Sequence, residues 1–345
     1  MKLPYFALRS AMRTLTCALL VAATAPVIAA ELNVYSARQE ALIKPLLDEF
    51  TAETGIKVNL VTGKGDALLT RLQAEGRNSP ADILITSDAG RLVRAEQAGV
   101  LLAQTSPELE AAVPAHLRSP QGYWYGLSVR ARALVYNRDS VSPDTLSTYE
   151  ALAQPQWRGR ICVRSSSNIY NQSLVAGMLA TQGDAKTAAW LEGFVANFAR
   201  PPQGGDRDQI KAVAAGQCDV AVVNSYYLGK MMKSRKEDQR QAADKVTLVF
   251  PNQADRGTHV NISGGGVARH AKNKSGAIKF LEYLASDQAQ EFFAAGNVEY
   301  PVVKGVPLAS PLDTFGEFKE DTLDVQRFAS LNAEAVQIMD KAGWK

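Results

Sequence analysis

Apolar residues recur along this chain in short runs of period two, separated by longer stretches of helical period. The first run, 32–35, reads as a strand. Leu42, Ile43, Leu46, Leu47 and Phe50 then fall on one helical face within 39–54, and Gly55 offers a stop. The pattern repeats as strand 57–61, helix 67–75 closed by Gly76, strand 83–86, and helix 88–98 closed by Gly99. Strand alternating with helix predicts a parallel sheet covered by helices. A second set follows, with a long strand at 127–136, a helical turn at 148–153 and a short buried strand at 160–163. Helices at 171–181, 185–196 and 209–215 lead to strands at 219–223 and 245–250. A last α/β portion covers 260–295, and the tail ends in a helix at 324–341. The charged segment 230–245 reads as a solvated helix face.

The first thirty residues stand outside this pattern. Lys2, Arg9 and Arg13 precede an apolar stretch from Leu15 to Ile28, and Ala29 and Ala30 offer cleavage positions. That is the pattern of a secretory signal, too short in its apolar part for a good membrane span. It predicts an exported, periplasmic protein. The formal net charge of +3 belongs to this segment, which has three basic residues and no acid, so residues 31–345 are formally neutral. Nothing in that balance points to nucleic acid or an anionic membrane as partner. The remaining length suits two lobes better than one core. Two cysteines remain, Cys162 and Cys218. In an oxidising compartment an even pair favours a disulfide, with two buried thiols as the alternative.

Enzyme signatures are missing: there is no G-x-S-x-G, no H-E-x-x-H and no P-loop. His116, His259 and His270 have no spacing partner, and the run Gly264–Gly265–Gly266 is read as well by a tight turn as by a phosphate loop. The tyrosines say more. Tyr226 and Tyr227 directly follow the strand 219–223, and Tyr170 follows another short strand and the polar stretch 164–168. Ligands of α/β sheets bind beyond the carboxyl ends of strands. Two uses remain open: aromatic packing with a hydroxyl hydrogen bond, or phenolate ligands to a hard, highly charged cation such as Fe3+.

Five segments carry a resemblance over essentially the whole exported chain: 33–39 (NVYSARQ), 50–58 (FTAETGIKV), 126–132 (GLSVRAR), 164–172 (RSSSNIYNQ) and 224–227 (NSYY). The chain resembles the periplasmic ferric-ion-binding proteins, the bacterial transferrins of ABC iron importers. The Ser-Ser-Asn-x-Tyr segment and the later Tyr-Tyr pair are its more specific carriers. The resemblance implies a two-lobed α/β binding-protein fold of type II, with hinge-crossing strands near Arg130 and 250–257. The lobes would then be 31–131 with 257–307, and 132–256 with 308–345. It also implies a monomer that holds Fe3+ in the interlobe cleft through Tyr170, Tyr226 and Tyr227, and an ABC permease in the inner membrane as partner.

Departures from the family pattern matter for the rest of the shell. Gln39 stands where one branch has a ligand histidine, and Ser87, beside Asp88, stands at a glutamate position; another branch has His-Tyr where this chain has Gln39-Glu40. What remains resembles a third branch, in which carbonate held by an Arg-Gln pair completes the shell. Arg38 and Gln39 suit that role, since a guanidinium can grip a planar oxyanion in bidentate fashion. Glu40 and Asp88 are further candidate ligands. The rival solutes on this fold are an oxyanion alone or an organic cation such as a polyamine. An extracellular enzyme is the rival from another class.

Overall fold

The computed structural model describes Met1 and residues 31–345. Apart from Met1, the predicted export signal lies outside the described residues. The strands are β1 (Glu31–Ser36), β2 (Lys57–Thr62), β3 (Ile83–Ser87), β4 (Tyr125–Asn137), β5 (Ile161–Cys162), β6 (Val220–Asn224), β7 (Val246–Val249) and β8 (Val260–Val267). They form a path β2-β1-β3-β8-β4-β6-β5, with β7 joined to β4. The protein is thus a mixed α/β, two-lobed fold whose curled sheet runs from one lobe into the other.

β4 makes that passage. Its first half, Tyr125 to Ala131, pairs antiparallel with β8; its second half pairs with β6 from Arg132 to Tyr136 and with β7 from Leu134 to Asn137. β1 pairs parallel with β2 and β3, and β5 parallel with β6, as the alternating pattern predicts. The all-parallel expectation fails at β4, which runs antiparallel to β6 and β7, and at β8, which runs antiparallel to both β3 and β4. The chain returns to the first sheet from the opposite end, after building the second, and the direction of β8 follows. The glycine run lies inside β8 and is neither a turn nor a phosphate loop. A Cβ at Gly266 would lie 2.2 Å from the Tyr123 carbonyl oxygen, so the neighbouring backbone takes the space of a side chain.

The helices cover the sheet much as the periodicity requires. Phe50, Phe280 and Tyr283 meet beneath the first sheet with ring centroids 4.9 and 5.4 Å from Phe50. Trp190 stacks on Phe194, and Trp344 meets Phe194 edge-on. The predicted helix at 39–54 is split into a 3-10 turn, Glu40–Leu42, and a helix, Lys44–Thr54. Pro45 is the reason: without an N–H it fits only the first turn, so the α-helix starts there. The tail helix is likewise split, into Val325–Ser330 and Asn332–Lys341. Cys162 and Cys218 form the predicted disulfide, with Cα atoms 5.9 Å apart, and tie β5 to the approach of β6.

Candidate metal-binding site

The site begins with two helix starts. Asn168 caps the helix Ile169–Gln182, its side chain accepting from the Tyr170 N–H at 3.1 Å, so Tyr170 enters on the first turn. The helix Ser225–Met232 starts directly where β6 ends, which puts Tyr226 and Tyr227 on its first turn. In a strand these neighbours would point to opposite faces; on a helix they lie about 100° apart. Their rings are 4.2 Å apart and inclined by 32°.

A buried polar frame fixes both starts. Asp206, 1% exposed, accepts from Arg132 Nη1 at 3.0 Å, from Arg164 Nη1 at 3.3 Å and from the Asn224 N–H at 3.0 Å. Arg132 also donates to Asn171 Oδ1 at 2.5 Å, and Asn171 in turn donates to the carbonyls of Arg164 and Ser165. One buried ion-pair network therefore positions the serine loop, the Tyr170 helix and the Tyr226 helix together. Removing one partner would leave a buried charge unmatched.

Tyr170, Tyr226 and Tyr227 line a single cavity of about 200 Å3, together with Arg38 and Gln39 from the end of β1. Ser87 lines it as well. Glu40 and Asp88 do not. Glu40 is exposed on the 3-10 turn. Asp88 is fully buried and caps the helix Ala89–Gln97, accepting from the Gly90 N–H, the Ser173 hydroxyl and Asn261 Nδ2 at 2.8–2.9 Å. Its carboxylate is occupied within the fold.

The structure also supplies residues that sequence reasoning did not assign. Arg130, Arg207, Lys230 and Glu299 line the same cavity. The Arg130 guanidinium lies 5.1 Å from the Tyr170 ring centre, Arg207 5.3 Å from that of Tyr227, and the Lys230 ammonium 5.2 Å from that of Tyr226. Arg130 had a legible signal, one of two arginines inside a strand that otherwise reads as largely apolar. Glu299 had none. Arg38 Nη2 donates to Glu299 Oε2 at 2.9 Å, and both side chains are almost wholly buried.

The electrostatics follow from this crowd. Burial, and next the neighbouring phenols Tyr170 and Tyr227, push the Tyr226 phenol well above its ordinary value, against the pull of Arg130. Burial and Tyr170 raise Tyr227 too. Burial lowers Lys230 to about 8. Burial would raise Glu299, but Arg38 and Arg130 outweigh it and hold the carboxylate below its usual range. The Tyr226 and Tyr227 phenols therefore stay protonated until a strong cation arrives. Among the described residues, no group of three or more His, Cys, Asp or Glu is placed to hold a metal ion. Phenolate is the anionic donor this cavity offers in number, and hard oxygen donors match a hard trivalent cation.

Comparison with known proteins agrees. The model of the bacterial extracellular solute-binding protein family matches residues 46–321. Iron uptake protein A1 of Synechocystis is 51% identical over 315 residues, covering 91% of this chain and 88% of its own length. The Fe(3+)-binding periplasmic protein of Serratia marcescens is 32% identical over 316 residues, 90% of this chain and 89% of its own. The solved Trichodesmium protein FutA (IdiA), in complex with iron and citrate, superposes with a TM-score of 0.90 at 55% identity, over 91% of this chain and all of that one. The chain belongs to the bacterial extracellular solute-binding proteins, in the family of periplasmic ferric-ion-binding proteins.

Proposed function

We propose that this protein binds one ferric ion as the phenolate complex of Tyr170, Tyr226 and Tyr227 and carries it through the periplasm to an ABC-type permease. The observation that carries this reading is the convergence of three phenols on one small cavity that offers no histidine or cysteine. The relatives named for ferric iron support the cargo. The lobes are 31–131 with 257–307 and 132–256 with 308–345. The change of pairing partners along β4 at Ala131/Arg132 supports that division. Closure about this hinge brings Arg38 and Gln39 toward the tyrosines, and the protein acts as a monomer.

Three phenolates leave iron short of six ligands. Carbonate, gripped by Arg38 and Gln39, completes the shell. Arg38 and Arg130 each keep a buried Nε–H with no acceptor among the described residues, which suits an incoming oxyanion. The same cationic wall disfavours a polyamine. An oxyanion accompanying iron has a parallel in the Trichodesmium complex with citrate. The test is an iron titration against a competing chelator, with and without bicarbonate, for the wild type and Arg38→Ala. Bicarbonate should strengthen iron binding by the wild type and have little effect on the variant. Equal affinity in carbonate-free buffer would reject the anion. A loss of iron binding with bicarbonate present would reject the cargo.

A further inference from the structure

Glu299 stands in the wall of the tyrosine cavity and is 5% exposed. Its Oε2 accepts from Arg38 Nη2 at 2.9 Å and from the Ser128 hydroxyl. The backbone that presents it is strained. Phe293–Asn297 forms a π-helical turn, and Val298 closes it at φ +57° and ψ +36°. A buried β-branched residue in the left-handed region is unfavourable and persists only where its surroundings enforce it. Here the Glu299 N–H donates to the Phe293 carbonyl at 3.1 Å, and Tyr300 exchanges backbone hydrogen bonds with Val129 of β4 at 2.8 and 2.9 Å. These bonds fix the direction in which Glu299 leaves the chain, toward Arg38.

Arg38 is also the residue assigned above to the added oxyanion. A carboxylate and a carbonate would thus seek the same guanidinium. We propose that Glu299 is a built-in rival of the exogenous oxyanion: it neutralises Arg38 in the iron-free protein and releases the Arg38 Nη2 donor, which completes a bidentate grip, only when a small oxyanion enters together with iron. The inference rests on the oxyanion reading of Arg38 and adds a specificity-determining residue to it.

The physical consequence is an order of events. Without iron, an entering oxyanion finds only the Nε–H of Arg38 free; to gain the bidentate grip it must displace the buried, charge-assisted hydrogen bond from Nη2 to Glu299 and approach a fixed negative charge. Chloride, phosphate or bicarbonate alone therefore gains little. With iron and phenolates in place, the metal charge draws the oxyanion in, and Arg130 and Lys230, which also face Glu299, share its charge when Arg38 turns away. Anion binding is in this way tied to metal binding.

The test is calorimetric titration of the iron-free protein with bicarbonate and, separately, inorganic phosphate. Glu299→Gln keeps the shape and removes the charge. It should bind bicarbonate at least about tenfold tighter than the wild type, the scale of one charge-assisted hydrogen bond. A general gain in positive field would act without Arg38, so the same step is repeated on Arg38→Ala, where the gain should vanish. Ser128→Ala, which loosens the carboxylate and keeps its charge, should shift affinity in the same direction by a smaller factor and serves if Glu299→Gln fails to fold. Unchanged or weaker bicarbonate binding in Glu299→Gln, or a gain that survives Arg38→Ala, overturns the proposal. If Arg38→Ala leaves the bicarbonate dependence of iron binding intact, it is the oxyanion reading itself that fails.

Discussion

Gly229 packs against Val298 so closely that a Cβ on the glycine would lie 2.4 Å from Val298 Cγ1. Gly229 belongs to the helix that carries Tyr226 and Tyr227, and Val298 is the strained residue beside Glu299. The contact therefore joins the tyrosine-bearing helix to the wall that presents the carboxylate. Gly229→Ala overpacks it, at a cost of about 1–3 kcal/mol where the neighbours cannot yield. The same Cβ would lie 2.9 Å from Pro311 Cγ, which the proposed division places in the helix's own lobe, while Val298 belongs to the other, so iron affinity should fall about tenfold or more and the thermal midpoint of the iron-free protein should fall as well. Chelator competition and thermal unfolding on the same preparation check both halves.

Phe replacement of Tyr226 or Tyr227 removes one anionic donor and keeps the ring. Each should lower ferric affinity by about a hundredfold or more. The pH dependence follows from the phenols. Both have raised values in the iron-free protein, so both are protonated near neutrality and must release a proton on coordination. Binding lowers the number of bound protons, so affinity rises with pH, by about a hundredfold per unit from this pair alone. Affinity measured across a pH series for the wild type and Tyr227→Phe should show a shallower slope in the variant.

His259 is buried against Phe328, with ring centroids 5.1 Å apart, and its carbonyl accepts from the Arg132 N–H. Burial first, then Arg132 and Arg256, lower its pKa to about 3. The unfolded chain takes up this proton near pH 6.5 and the folded chain only near 3. Its contribution to stability is therefore complete above about 6.5 and declines as pH falls toward 3, by about 1.4 kcal/mol per unit. Urea midpoints between pH 7 and pH 4 should fall less steeply for His259→Asn than for the wild type.

The disulfide joins residues 56 apart in sequence. Closing a loop of that size is worth about 4 kcal/mol in the chain-entropy model. The double variant Cys162→Ala/Cys218→Ala should lose a large part of that in urea unfolding and retain iron affinity, since neither cysteine lines the tyrosine cavity.

Much of this was legible in the sequence, for reasons that differ by residue. Helices such as Ile169–Gln182 and strands such as β4 declare themselves because burial imposes a periodicity. The tyrosines were placed near a site because strand ends of α/β sheets converge. Arg38 and Gln39 entered through a resemblance and line the same cavity. What was not legible depends on contacts distant in sequence. Asp88 looked like a ligand beside Ser87, yet Ser173 and Asn261, each more than eighty residues away, take its oxygens. Gly264–Gly265–Gly266 reads in sequence equally well as a turn or a phosphate loop, and only the backbones of Tyr123 and Tyr125 pressed against it reveal a strand. Glu299 follows an irregular turn that no periodicity announces, and its partner Arg38 lies 261 residues earlier.

The central claim is that ferric ion is held by phenolates, and the visible spectrum tests it most directly. Iron-free protein is loaded with ferric ion at neutral pH in bicarbonate, freed of excess metal, and its absorption recorded for the wild type and for Tyr170→Phe, Tyr226→Phe and Tyr227→Phe. A phenolate–ferric complex absorbs visible light by charge transfer from ligand to metal. We expect a coloured wild-type complex with one iron per chain, and a band that weakens or shifts in every variant that still retains iron. A colourless one-to-one complex, or a band unchanged in all three variants, would contradict the account.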